Sequence, residues 1–164
     1  MAETLIALTF RFVLYTFFGL SLEIIFSVIG IERTMGSAIE RRVPRRYLEG
    51  FVSLYMIPLH GLGLLFGFEL ISAAISSWFI GVRFVVYALV FTCAEIAWGW
   101  ILMRTRGFFP WDYYTESRYQ LAHGYTLWTL IPQWGIAGLI IEVYSRLLID
   151  LSPHAVAFFL SGES

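Results

Sequence analysis

Two glutamates, Glu23 and Glu95, sit seventy-two positions apart inside long apolar runs, and each closes the same pattern, R-F-V-x-Y-x7-E-I. Arg11-Phe12-Val13-Leu14-Tyr15 leads to Glu23-Ile24, and Arg83-Phe84-Val85-Val86-Tyr87 leads to Glu95-Ile96. An ionised carboxylate alone in hydrocarbon is costly, so each must be protonated or hydrogen-bonded within a bundle, and the chemistry on offer is proton exchange. Arginine and glutamate of one run are about 18 Å apart along a helix at 1.5 Å per residue, too far to pair within it. Partners must come from a neighbouring helix, and His60, Tyr15, Tyr87, Gln133 and Trp134 stand at similar depth. Intramembrane carboxylates mark functional sites by default; the alternative is interhelical packing that fixes register.

The repetition continues downstream, where Ile57-Pro58-Leu59-His60-Gly61 is echoed by Ile131-Pro132-Gln133-Trp134-Gly135. Read as interruptions in the middle of two helices, Pro58 with Gly61 and Pro132 with Gly135 free backbone groups at matching places of two halves, which is where transporter sites are found. Kinking and close packing are the competing explanation. No second ligand at useful spacing supports His60 as part of a metal site, and none is expected.

These residues need helices to hold them, and the composition supplies them. Of 164 residues, 59% are apolar and 14% charged, against roughly a quarter charged in soluble proteins. Four runs, residues 5–31, 50–74, 78–103 and 124–149, reach the length of about 20 residues that crosses a bilayer. The first lacks a basic leader and a small-residue cleavage site, so it is expected to stay as a helix. The even number of spans per copy places the halves in parallel, related by an axis along the membrane normal. All eleven basic residues are arginines, which excludes lysine Schiff-base chemistry. The single cysteine, Cys93, cannot form an internal disulfide and is expected to pack.

Arginine placement gives an orientation. The first long loop carries Arg33, Arg41, Arg42, Arg45 and Arg46, and the second carries Arg104, Arg106 and Arg118, whereas the turn at Ser76-Ser77 has none. Both loops are therefore expected on the cytoplasmic side, with both termini outside. Arg11 and Arg83 are expected to snorkel to the headgroups. Pro153 is expected to end the last helix ahead of a short tail, residues 150–164. The second loop contains Arg106, Pro110, Trp111, Asp112 and Tyr113; an aromatic belt at headgroup depth, with Asp112 capping a helix or pairing Arg106 or Arg118, is its expected form, and a lipid or substrate site the alternative.

Glu95 with Gly99, then Pro110-Trp111-Asp112-Tyr113, then Gly124, Trp134, Gly138 and Glu142, resemble the carboxy-terminal signature of the ABC-transporter type IV family, which also holds the transmembrane protein 229 group. Arg11, Tyr15, Gly19 and Glu23 are similar to that family's first helix, and Pro58-Leu59-His60-Gly61-Leu62-Gly63 to its P-x-Y-G-x-G segment; His60 departs from the tyrosine of bacterial members. The likeness spans most of the chain and implies a permease-like component without implying a reaction or substrate. No G-x4-G-K-S/T motif occurs, so an ATP-driven role would need a separate ATPase.

The expectation is an all-α integral membrane four-helix bundle built from two parallel two-helix repeats, one domain over residues 1–164 with repeats 5–74 and 78–149. Its expected role is that of a multi-pass inner (plasma) membrane permease-like or transporter-accessory subunit, with a polar site on Glu23 and Glu95. The alternatives are a membrane enzyme acting on lipid headgroups, with Asp112, Glu23, Glu95 and His60 as acid and base, and a structural or assembly subunit. Expected partners are the lipid bilayer and a second copy or another membrane subunit; no cofactor, metal or nucleic acid is expected.

Overall fold

The computed structural model describes residues 1–162, the Arg45 side chain excepted; Glu163 and Ser164, the end of the expected tail, lie outside the described residues. The chain is mostly helical, 76% of it. Helix α1 (Ala2–Ile29) runs the length of the molecule, and a short α2 (Ile31–Met35) follows Gly30. Gly36 ends α2 in the left-handed conformation, φ 71°, where its N–H bonds the Glu32 carbonyl.

The return arm is a composite rod. A 3₁₀ turn (Leu54–Met56) leads through Pro58 into a ten-residue π-helix (Leu59–Phe68) and then α3 (Glu69–Ile75). The wider pitch shows at the junction, where the Glu69 N–H bonds the Leu64 carbonyl five residues back. Glycine lets the rod approach α1: a Cβ on Gly61 would lie 2.3 Å from Phe12 Cε2.

A tight turn leads to α4 (Ile80–Arg106), which ends at Gly107 with φ 78°. The second loop folds on itself through a 3₁₀ segment (Asp112–Glu116) and a two-stranded antiparallel ribbon, β1 (Gln120–Leu121) against β2 (Thr126–Leu127). A further 3₁₀ turn (Trp128–Leu130) opens α5 (Ile131–Ser161). α4 packs on α5, and α1 on both the π-helix and α5. Two buried clusters result, one around Tyr15, Phe68, Tyr87 and Leu148 near the termini, the other around Met35, Phe109, Trp111 and Leu127 near the loops.

Among the described residues three helical rods are long and apolar enough to cross a membrane: Ala2–Ile29, Leu54–Ile75 and Ile80–Arg106, with mean hydropathies of 2.1, 1.6 and 1.8. The expected fourth span at 124–149 is not among them. Residues 126–130 go to the ribbon and a 3₁₀ turn, and α5 carries Gln133, Glu142, Arg146 and Asp150, which lower its hydropathy. The exterior of the bundle is apolar, with Phe17, Phe66, Leu70, Val85, Leu89 and Val143 all exposed.

Both expected mid-helix breaks are corrected. Pro132 lies in the first turn of α5 and Pro58 caps the π-helix, so the N–H each lacks is one that a helix start leaves unbonded anyway. Pro153 sits inside α5, which continues to Ser161 instead of ending there. Cys93, expected to pack, is exposed on α4.

Candidate functional site

Antiparallel helices bring the buried charges together in two tiers. The tier nearer the termini is built on glutamates that the repeat pattern does not contain. Arg11 Nη1 donates to Glu69 Oε2 at 2.6 Å, and the Tyr15 hydroxyl lies 2.9 Å from Glu69 Oε1. In the second hairpin Arg83 donates to Glu142 Oε1, and the Tyr87 hydroxyl lies 2.9 Å from Glu142 Oε2. Arg146, one helical turn beyond Glu142, donates to the same carboxylate. Arginine and tyrosine are four apart on α1 and again on α4, which puts both on one face. Both tyrosines are fully buried.

The tyrosines also tie the hairpins to each other. The Tyr15 hydroxyl is 2.6 Å from Ser145 Oγ on α5. One O–H cannot donate twice, so Tyr15 donates to the Glu69 carboxylate and accepts from Ser145. Ser72 on α3 neighbours the Tyr87 hydroxyl on α4.

The expectation that Arg11 and Arg83 snorkel outward is therefore corrected. Each guanidinium turns inward to a carboxylate, because a buried glutamate left without its cation is far costlier than the pair.

The second tier lies about two helical turns closer to the loops, Glu23 and Glu95 each following the tyrosine of the first tier by eight residues. His60 Nε2 is 2.7 Å from Glu23 Oε1. The His60 ring reaches this position because it lies against Gly19, where a Cβ would come within 2.3 Å of His60 Cγ. Glu95, only 7% exposed, accepts at Oε2 from Trp134 Nε1 at 3.0 Å and from the Thr126 hydroxyl of β2. His60 and Trp134, the matched residues of the two proline motifs, thus meet the matched glutamates.

The expected site residues divide between these tiers. Glu23, His60, Glu95 and Trp134 share the loop tier, whereas Tyr15, Tyr87 and Glu142 belong to the other. Gln133 joins neither; its amide donates to Thr34 Oγ1 at 2.9 Å and to the Thr129 carbonyl at 3.1 Å, fastening α5 to α2. Gly61 and Gly135 serve packing, and a Cβ on Gly135 would lie 2.6 Å from Phe84 Cε2, whereas Pro58 and Pro132 stand at helix starts. Thr126 comes from a loop with no helical spacing to reveal it. Glu69 has one signal in the sequence, its place seventy-three residues before Glu142.

The second loop closes over the loop tier. Trp111 is buried and donates from Nε1 to the Tyr125 carbonyl at 2.8 Å, so its indole faces the protein interior. Its indole packs edge-on to Phe109, because the loop core offers apolar contacts that a headgroup layer does not. Tyr113 stands edge-on to Phe51, with Pro110 beside Trp111 in the chain. Burial pushes the Tyr113 phenol up, followed by the Glu23 and then the Glu95 charge. Burial likewise holds the Tyr114 phenol well above its ordinary value, followed by Glu95, Tyr113 and Glu23. Arg106 reaches over the Tyr55 ring, 5.8 Å from its centroid, and Arg118 over Tyr119. Neither pairs with Asp112, which is exposed and whose carboxylate has no hydrogen bond or ion pair among the described residues.

Among the described residues no group of three histidine, cysteine, aspartate or glutamate side chains is arranged to hold a metal. No family model matches the chain, and no curated protein or solved structure matches it.

Proposed function

We propose that the chain is a membrane-spanning protein of permease-like or transporter-accessory type, made of two parallel hairpins, whose working site is the loop tier at Glu23 and Glu95. The observation that carries this reading is the contrast between the tiers. Glu69 and Glu142 each have an arginine beside them to balance a negative charge. Glu95 is buried with an indole N–H and a hydroxyl, both neutral donors. A buried carboxylate without a cation is the group whose charge the fold tolerates least, and it is suited to exchange a proton with the Glu23–His60 pair beside it.

The two-copy reading is supported by the contacts themselves. Arg11, Tyr15 and Glu69 correspond to Arg83, Tyr87 and Glu142, and Glu23 with His60 to Glu95 with Trp134. Equivalent residues facing across a pseudo-twofold axis along the membrane normal suit parallel repeats. α5 would be the fourth span: Ile136, Ile140, Val143 and Leu147 are exposed along one face, while Gly135, Gly138, Glu142 and Ser145 are buried on the other. Its low hydropathy then reflects Glu142 turned into the bundle, together with Arg146 and Asp150, which are exposed farther along the helix. The resemblance to the ABC-transporter type IV family belongs to the same proposal, as does a partner subunit or second copy to complete a pathway.

A purely structural role is favoured by one observation, that each of these four carboxylates is hydrogen-bonded. The two readings separate in cells that lack the gene. The transport or lipid defect of the deletion is expected to be restored by the wild type and not by E23Q E95Q at equal membrane levels. Full rescue by the double variant would leave the glutamates as packing groups.

A further inference from the structure

Two surface grooves meet near the termini. The larger, about 570 Å³, runs between the start of α1 and the last turns of α5, with Glu3 and Thr4 at its outer end and Arg11 at its inner end. The smaller, about 370 Å³, is walled by Leu65, Phe66, Leu70 and Glu69 and shares Ile149 with the first. The Arg11–Glu69 ion pair contributes one residue to each.

The Arg11 guanidinium donates a single hydrogen bond, from Nη1 to Glu69, and its Nε is buried with no partner among the described residues. Arg11 lines the groove with one of its five N–H donors committed to Glu69, and the donors that are not buried keep capacity for an oxyanion. Glu3, in the first turn of α1, is exposed and has no ion pair among the described residues. It lies about 12 Å outward of Arg11 along the helix at 1.5 Å per residue. A cation-seeking group thus stands outside an anion-seeking group, with an apolar trough leading inward from between them.

We propose that these grooves hold one phospholipid with an amine-bearing headgroup, its phosphate on Arg11, its ammonium on Glu3 and an acyl chain in the trough beside Leu65 and Phe66. The order of charges decides the class. An anionic headgroup without an amine would meet Glu3 with no cation, and a trimethylated amine has no N–H to donate to it. The proposal rests on the chain spanning a membrane and is independent of the role given to Glu23 and Glu95.

The protein is purified into nanodiscs containing equal amounts of phosphatidylethanolamine, phosphatidylcholine and phosphatidylglycerol with identical chains, then stripped with mild detergent, and the retained lipid is weighed by native mass spectrometry. One phosphatidylethanolamine per chain is expected, retained about tenfold over either competitor, the worth of one charge-assisted hydrogen bond. E3Q, at an exposed position, is expected to abolish the preference, and Ala157→Trp, which fills the larger groove, to abolish retention. E95Q is expected to change neither, which separates this site from the carboxylate tier. Retention of all three lipids in equal proportion, or an unchanged preference in E3Q, would overturn the proposal. A protein that stays soluble without detergent would overturn both this proposal and the membrane reading.

Discussion

The hydroxyl of Tyr15 lies 2.6 Å from Ser145 Oγ, 130 positions away in the chain, and joins the first helix of one hairpin to the second helix of the other. The bond is buried, and Tyr15 also donates to a carboxylate, so its loss leaves two polar partners without a match in a dry interior. Tyr15→Phe is expected to lower stability by about 1–3 kcal/mol, read from the unfolding midpoint in detergent. Tyr87→Phe should act similarly, as its hydroxyl serves Glu142 in the corresponding place. A large loss in one and none in the other would speak against equivalent hairpins.

The Arg11–Glu69 pair is largely buried on both sides, with side-chain exposures of 16% and 15%. Arg11→Gln alone is expected to cost about 3–5 kcal/mol, because it strands the glutamate. Adding Glu69→Gln removes the stranded charge, so the double variant should recover much of that loss. A thermodynamic cycle without coupling would show that the pair does not hold the helices together.

Gly19 gives a steric test of the loop tier. A methyl group there would overlap the His60 ring at 2.3 Å, so Gly19→Ala is expected to swing the imidazole off Glu23. The His60 Nε2 resonance should lose its hydrogen-bonded shift while the helix content stays unchanged. An unaltered resonance would mean that the ring contact is dispensable.

The loop tyrosines set an alkaline limit. Burial raises the phenols of both Tyr113 and Tyr114 above their unfolded value of about 10. The folded state therefore binds protons that the unfolded state releases above that pH. Their contribution is fully present below about pH 10 and is lost as pH rises beyond it. Tyr113→Phe with Tyr114→Phe should flatten the fall in unfolding midpoint between neutral and strongly alkaline pH. An equally steep fall in the double variant would place the alkaline sensitivity elsewhere.

Parts of this arrangement were legible from spacing alone. Residues three and four apart on a helix share a face, so Arg11, Tyr15 and Glu23 stand out as a stripe, and depth along the helix brings His60 and Trp134 to the glutamates. Depth does not say which of several partners an acid will take, and Tyr15 and Tyr87 go to Glu69 and Glu142 instead. The arginines are misjudged because snorkelling and inward pairing look alike until the facing helix supplies its carboxylate. The start of α5 is blurred because residues 126–131 are as apolar as the helix that follows, although Pro132 carries the mark of a first turn. The π-helix over Leu59–Phe68 and the ribbon that delivers Thr126 have no periodicity that distinguishes them from an α-helix and a loop.

Glu95, the buried carboxylate with neutral donors and no cation, is the group proposed to exchange a proton. Infrared difference spectra of the bilayer-embedded protein between about pH 6.5 and about pH 10, above the range in which ordinary exposed carboxylates titrate, read the carbonyl stretch of carboxylic acids that are still protonated there. A pH-dependent carboxyl band that disappears in E95Q and persists in E69Q is expected. A band that survives in E95Q, or no pH-dependent carboxyl band at all, would contradict it.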